Sequence, residues 1–444
     1  MREQWSTKVG FILSSAGAAI GLGAIWKFPY MTGMNGGGAF FLLFIAFTLI
    51  IGLPLLIAEF IIGRGAQQEA VTAYKKLAPG TGWSIIGRWG VAGAFILLSF
   101  YSVVGGWVLI YAGMSLTGTV ISPGADYEQL FSTITGSPLI SITGLGLFLA
   151  IAILIVSFGI KDGIERANKI MMPLLFIFFI VLVIRSVTFT GAAEGLAFFL
   201  KPDFSKITAE GILYALGQSF FALAVGISVM VTYSSYLGKE VSLPFSAISV
   251  SIMNIFVSLL AGLAIFPVVF SFGLEPAEGP GLLFMVLPAA FAQMPMGEVF
   301  LSLFLLLFLF AIFTSAFSMV EIITAAMTAG KDRSRTKVAW LTGLVVFIAG
   351  IPAALSSNTL ADFKIFGLTV FDASDFLVSN IMLPGGCFLI ALFIGLKMDR
   401  SLMQNEFLSS SSLGAGSFQV WFQIMRWVTP ITILVVFLYS LGII

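Results

Sequence analysis

An all-α polytopic membrane protein with eleven transmembrane helices is the fold this sequence predicts, and three observations predict it. Of 444 residues, 59% are hydrophobic and 10% charged, against ~45–50% apolar and ~25% charged in an ordinary soluble domain. Apolar runs such as Val299 to Ile312 are long and unbroken, with short polar joints between them, whereas a transmembrane barrel would alternate apolar and polar residues in short strands. A formal net charge of +1 offers no field for a polyanion, so nucleic-acid binding is set aside together with soluble enzyme chemistry. His is absent, and the single Cys387 lies in an apolar run. His-based metal sites, Ser-His-Asp triads and disulfides are thereby excluded together, and no catalytic residue is expected. No cleavable signal peptide is expected either, because the first apolar stretch begins within ten residues of Met1 and carries charge and Pro beyond its core.

A ~20-residue apolar window places the spans near 8–33, 38–64, 88–118, 139–160, 168–188, 210–236, 243–272, 298–328, 336–356, 375–397 and 419–443. Lys and Arg gather on alternate joints: Arg2 and Lys8, Arg64 to Arg88, Lys161 to Lys169, Lys239, Lys331 to Lys337, and Lys397 with Arg400. The opposite joints hold only Lys201, Lys206 and Lys364. The positively charged side marks the cytoplasm, so the N-terminus is expected inside and the C-terminus outside. The first span carries Gly17, Gly21 and Gly23 at its middle and the sixth carries Gly217 and Gly226. Gly and Pro near the midplane release backbone groups that lipid cannot satisfy, so such a break is tolerated only where protein or a watery cavity covers it. Close packing is the other use of such glycines, and the isolated ones elsewhere are read that way. The two interrupted spans sit five apart, which suggests two inverted five-helix halves, 1–190 and 207–397, with 418–444 as one extra helix.

The stretches Arg2-Glu3-Gln4-Trp5, Gly17 to Gly23, Trp26-Lys27-Phe28-Pro29-Tyr30 and Asn35-Gly36-Gly37-Gly38-Ala39-Phe40 resemble the start of the neurotransmitter:sodium symporter family. The resemblance continues through Gly217-Gln218-Ser219-Phe220-Phe221, Thr232-Tyr233-Ser234-Ser235-Tyr236, Asn254 with Ala261-Gly262, Thr314-Ser315 with Glu321, and Asp372 with Asp375. It implies the leucine-transporter fold with unwound helices 1 and 6. The family usually has twelve spans, and this chain is expected to end after the eleventh. The resemblance also implies an amino acid site: the carboxylate at the backbone of Leu22 and Gly23 and the hydroxyl of Tyr101, the ammonium at carbonyls near Ala19, Phe221 and Ala224. Gly21 stands where monoamine carriers hold an Asp, so the substrate is expected to bring its own carboxylate. Leu97, Tyr101, Phe221, Ile227, Ser315, Ala316 and Met319 would line the side-chain subsite, favouring a hydrophobic amino acid over a polar one that would be left with unpaired groups.

The same resemblance implies one intact sodium site, from carbonyls of Gly17, Ile20 and Ala311 and hydroxyls of Thr314 and Ser315, an oxygen set suited to a hard cation. A second sodium site looks degenerate, since Ala24 and Ala222 replace side-chain oxygens and only Asn254 and backbone such as that of Ala19 remain. One Na+ is therefore expected. Chloride is not, with Phe44 and Ala222 where oxygen donors would stand beside Gln218, Asn254 and Ser258. Lys27 with Asp375 would form the outer gate, together with Tyr101 and Phe221; Asp372 is close enough in sequence to exchange with Asp375. Arg2, Trp5, Ser235 and Tyr236 resemble the inner latch, whose usual Asp is Ala329 here, with Asp332 a possible substitute. Glu59 and Glu321 read as a buried, hydrogen-bonded structural pair, with proton carriage as the alternative. Gly163 to Pro173 resembles a motif that lets the start of the fifth span unwind, a plain proline kink being the alternative. The resulting expectation is a sodium-coupled symporter of hydrophobic amino acids in the cell membrane. Its rivals are a proton-coupled or uncoupled transporter of the same fold, and a channel or sensor, for which no polar lining or carbonyl filter is found. Nothing in the sequence speaks to oligomeric state.

Overall fold

The computed structural model describes residues 3–121, 126–274, 281, 283–330 and 334–440. Arg2, Lys331, Asp332 and Arg333 lie outside these residues, so the expected inner-gate roles of Arg2 and Asp332 are not placed. Among the described residues the chain is almost wholly helical, with one isolated bridge joining Ile365 and Leu368. The long elements are α1 (Lys8–Ala19), α2 (Gly23–Met34), α3 (Gly38–Ala66), α4 (Ser84–Leu116), α5 (Pro138–Ser157), α6 (Ile160–Ser186), α7 (Ala209–Leu223), α8 (Val229–Ser234), α9 (Leu243–Ser271), α10 (Gly297–Thr328), α11 (Arg335–Ala354), α12 (Val370–Leu396) and α13 (Ala415–Tyr439). Nine of these are long and apolar enough to cross a membrane, and α1 with α2 joins them as a pair bent by 52°. The sixth expected segment is α7 and α8, divided by residues 224–228. Two helices start before the apolar window did: α13 at Ala415, and α12 at Val370, where a capped polar turn extends the helix beyond its greasy part. Thr7, Thr208 and Thr369 supply such caps, their hydroxyls accepting from the amides of Gly10, Gly211 and Asp372.

Proline chemistry shapes the long helices. Pro29, Pro54, Pro384 and Pro430 each follow by two residues a wide π-helical turn, at Gly23–Lys27, Thr48–Gly52, Leu377–Met382 and Ile424–Val428. The proline ring clashes with the carbonyl four residues earlier and offers no N–H to it, and a widened turn relieves both problems without ending the helix. The outer faces match a lipid solvent: on α6 the exposed side chains include Ile170, Ile177, Ile180, Val181 and Ile184.

The two breaks have different causes. α1 ends where Ile20 takes ψ near 85°, and Gly21 follows where a Cβ would overlap Ser315 and the Tyr101 hydroxyl. α7 ends on Ala224 in the left-handed region, followed by Gly226 at φ 93° and Ser228 at φ 56°. A Cβ on Gly226 would run into the Leu383 carbonyl and lie 2.8 Å from Cys387 Sγ. Gly226→Ala adds left-handed strain and overlap together, so a stability loss of at least about 2 kcal/mol is expected. Thermal unfolding in detergent checks this; an unchanged Tm would mean that 224–228 accommodates a side chain freely.

Candidate substrate and ion site

The two breaks face each other across a small cavity inside the molecule. Ala18 and Ala19 of α1, then Gly21, Leu22 and Gly23, form one wall; Phe221, Ala224, Ile227 and Val229 form the opposite one. Leu97 and Tyr101 of α4, Ser315, Ser318 and Met319 of α10, and Leu383 of α12 complete it. Eleven of the twelve residues expected from sequence line this space; Ala316 does not, since it follows Ser315 by about 100° around α10 and is packed inside the protein. Ala18, Val229, Ser318 and Leu383 were not anticipated. Ser318 was within reach of a periodicity argument, lying one turn from Ser315 on the same face; Leu383 comes from a helix that carried no such signal. The polar groups of the cavity are few. The Leu22 amide, at the start of α2, donates to the Tyr101 hydroxyl at 3.4 Å, and the first amides of a helix are those without intrahelical partners.

One helical turn away, α10 meets the end of α1. The Thr314 and Ser315 hydroxyls each donate to the Gly17 carbonyl at 3.0 Å, Thr314 also to the Ala311 carbonyl at 2.9 Å and Ser315 to that of Ala18 at 3.0 Å. Thr314 is fully buried. Four of the five oxygens named from sequence are thus gathered by direct bonds, and Ile20, the fifth, ends the same helix. This is a neutral, oxygen-only cluster, the chemistry a hard monovalent cation requires. The other set is poorer. Ala24 and Ala222 present methyl groups, the Ala19 carbonyl already accepts from the Gly21 amide at 3.2 Å, and Asn254 Nδ2 donates to the Ala222 carbonyl at 2.6 Å. Gln218 Nε2 similarly donates to the Gly23 carbonyl at 2.6 Å. Phe44 is buried against Phe28, ring centroids 5.0 Å apart.

Above the cavity Lys27 Nζ lies 3.2 Å from both Asp375 oxygens, 2.8 Å from Ser379 Oγ and 4.9 Å from the Phe221 ring centre. Asp372 takes no part: it accepts from Thr369 Oγ1 at 2.6 Å in the first turn of α12 and is exposed. At the opposite end Trp5 donates through Nε1 to the Tyr233 carbonyl at 2.8 Å and through its amide to that of Tyr236 at 3.3 Å. Tyr236 donates to Glu321 Oε1 at 2.7 Å, and Arg335 pairs with Glu321 and lies 4.0 Å from Glu3. Arg335 was counted from sequence only as a surface charge; the missed signal is that a carboxylate fully buried in an apolar helix requires a cation. Glu59 and Glu321 do not pair with each other. Glu59 Oε1 accepts from the Gly226 amide at 2.7 Å, holding the second break, while Glu321 belongs to the Arg335 network. The Gly163 to Pro173 stretch opens on a wide turn at Ile160–Glu165 and then continues as regular helix with Pro173 inside it.

Broken helices around a central cavity, closed at one end by an ion pair, define the fold and site of a secondary transporter. The sodium:neurotransmitter symporter family model matches residues 2–126 and 127–443, and the chain belongs to that family. It is 52% identical over 441 residues to the sodium-dependent transporter YhdH of Bacillus subtilis (strain 168), covering 99% of this chain and 98% of that one. It is 39% identical over 452 residues to a sodium-dependent transporter of Haemophilus influenzae, covering 99% and 98%. The crystal structure of MhsT in complex with L-phenylalanine superposes with a TM-score of 0.93 at 41% identity, covering 99% of this chain and 100% of that one. The protein is a sodium-dependent membrane transporter, not an enzyme.

Glu321 is completely buried, so removing its partner by Arg335→Ala leaves a carboxylate with only Tyr236. A loss of about 3–5 kcal/mol is expected, read as a lowered unfolding midpoint in detergent. A loss below about 1 kcal/mol would mean that the guanidinium is not what holds that carboxylate.

Proposed function

We propose that this protein carries hydrophobic L-amino acids together with one Na+ by alternating access. The observation that supports this most is the cavity between the two breaks, apolar along most of its wall, with the Leu22 amide and Tyr101 hydroxyl at one edge. In this reading the substrate carboxylate meets the α2 amides of Leu22 and Gly23, where the helix dipole favours an anion. Its ammonium meets carbonyls of Ala19, Phe221 and Ala224 at the C-terminal ends of α1 and α7. Gly21 brings no acidic side chain to the site, and a Cβ there would displace Ser315 and the Tyr101 hydroxyl, so the substrate supplies the carboxylate itself. The side-chain subsite, Leu97, Phe221, Ile227 and Met319 with Ser315, offers little to a polar group, which would go unpaired. MhsT bound to L-phenylalanine is consistent with that class.

Sodium is assigned to Gly17, Ile20, Ala311, Thr314 and Ser315, and a second ion to none, since the methyls of Ala24 and Ala222 leave the other set short of oxygens. No chloride is assigned. Sodium bridging α1 and α10 favours the outward-open state and so presents the substrate site when the ion is bound. The Lys27–Asp375 pair closes the outer side and Trp5 with Tyr236 the inner side. The chain is read as two inverted halves, 1–190 and 207–397, with 418–444 outside them, and spans one, two, six and seven rock as a bundle against the rest about this site. The N-terminus lies in the cytoplasm and the C-terminus outside.

The test is uptake of labelled phenylalanine, leucine and other apolar amino acids into proteoliposomes, under an inward sodium gradient, a proton gradient or neither. Uptake that requires sodium with a Hill coefficient near one, and that falls at least about tenfold in Thr314→Ala and Ser315→Ala, is the expected result. Accumulation driven by protons without sodium would overturn it and point to Glu59, whose Oε2 has no hydrogen-bond partner among the described residues.

A further inference from the structure

On the N-terminal side of the Thr314 and Ser315 hydroxyls, the protein keeps buried oxygens that bond to nothing. Asn168 on α6 is fully buried; its Nδ2 donates to the Ile164 carbonyl of its own helix at 2.8 Å, while its Oδ1 has no partner among the described residues. The Ser14 hydroxyl on α1, also fully buried, has none either. A buried polar group left unpaired costs about 1–3 kcal/mol, and in native proteins it calls for a reason.

Ser14 stands on the face of α1 that meets α6. Gly10, Ser14 and Gly17 follow at i, i+4 and i+7 and share one face of α1. A Cβ at Gly10 would overlap the Glu165 carboxylate, so the lower end of that face lies on the first turns of α6. A Cβ at Gly17 would fall 2.5 Å from Asn168 Oδ1, 2.9 Å from Thr314 Cβ and 3.3 Å from Thr314 Oγ1. The Asn168 carboxamide oxygen and the Thr314 hydroxyl thus close on one point beside the Gly17 backbone. Going down α6 from there, the next polar group on the face is Glu165, which accepts from the Ser6 amide at 2.7 Å, Ser6 Oγ at 2.6 Å and Thr7 Oγ1 at 3.0 Å, with Lys169 Nζ at 2.6 Å. The resulting order along the α1–α6 contact is hydroxyl and carbonyl oxygens, then a free amide oxygen with a free hydroxyl, then a carboxylate. Oxygen donors of rising negative charge are a ladder for a hard cation.

We propose that Asn168 Oδ1, with Ser14 Oγ, is a second, transient sodium station on the cytoplasmic side of the Gly17–Thr314–Ser315 site, through which the ion passes to Glu165 as it is released. The station is separate from the five groups that hold the ion at α1 and α10, and it rests on the sodium reading given above. The close contact of α1 with α6 shuts it until α1 swings away, so the same movement that opens the inner side exposes the station.

The test uses purified full-length protein in detergent with radioactive Na+ as the probe, read as equilibrium binding and as dissociation into choline buffer at pH 8. Asn168→Asp and Asn168→Leu both lose the bond to Ile164, so a merely structural role shifts both in the same direction. The station predicts that they diverge. Asn168→Asp, with a full charge on the coordinating atom, binds Na+ about tenfold more tightly; Asn168→Leu, lacking the oxygen, keeps its affinity within about twofold but releases the ion several-fold more slowly. Asn168→Asp at or below wild-type affinity, or unchanged release from Asn168→Leu, overturns the proposal while leaving the main site standing. Wild-type protein that binds no Na+ at all overturns the sodium assignment itself, and the station with it.

Discussion

Backbone that leaves the helix inside a bilayer has to find its hydrogen bonds within the protein, and the rest of this structure follows from how two such segments do so. At the first, Tyr101 from α4 accepts from the Leu22 amide, and Thr314 and Ser315 from α10 donate to the Gly17 and Ala18 carbonyls just before the break. At the second, residues 224–228 are held by Glu59 from α3, through the Gly226 amide. Three helices therefore converge on two short stretches of polar backbone. The price of breaking a helix becomes the means of recognition, since the same amides and carbonyls are the groups an amino acid zwitterion and a sodium ion need. A chain of this composition has few other polar groups to offer, with charged residues at only 10%.

The two ends of the molecule are closed by interactions of different strength, which suits a protein that opens one at a time. Lys27 and Asp375 are partly exposed, with side chains 17% and 35% accessible. Such a pair is worth of the order of 1 kcal/mol and yields to small changes in the cavity below it. The other end is bonded more deeply: Trp5 to two carbonyls, Tyr236 and Arg335 to a completely buried Glu321. Breaking that set one partner at a time would strand a buried charge, so its opening is concerted. Glu3 and Glu165 add to it by tying the N-terminal segment to the first turns of α6, Glu3 accepting from the Ile160 amide at 2.5 Å. The N-terminal segment and the wide turn at Ile160–Glu165 are thus bonded directly to each other.

Much of this was legible in the sequence because lipid makes sequence patterns strict. Apolar length marked the helices, and glycine in the middle of two of them marked both breaks. The family resemblance then placed Lys27, Asp375, Thr314 and Ser315. What was not legible depended on rotation and on distance along the chain. Ala316 was set in the cavity wall although it points into the packing, and Leu383 was missed because α12 approaches the site only after the fold brings it there. Asp375 and Asp372 were separable only once the Thr369 cap was seen to occupy Asp372. Arg335 pairs with Glu321 from the far side of a loop, and Asn168 makes itself known only by the bond it fails to make.

The central claim is that sodium joins α1 to α10 and so holds α1 against the scaffold. Its most direct test is a distance distribution between spin labels at Val9, exposed on α1, and Lys337, exposed at the start of α11, in protein whose buried Cys387 is replaced by Ala. The account predicts a single narrow distribution in saturating Na+ that lengthens and broadens when Na+ is replaced by choline, and that stays broad in Na+ when Thr314 is changed to Ala. Distributions that coincide with and without Na+ would contradict it, because the ion would then have no hold on the helix that opens the inner side.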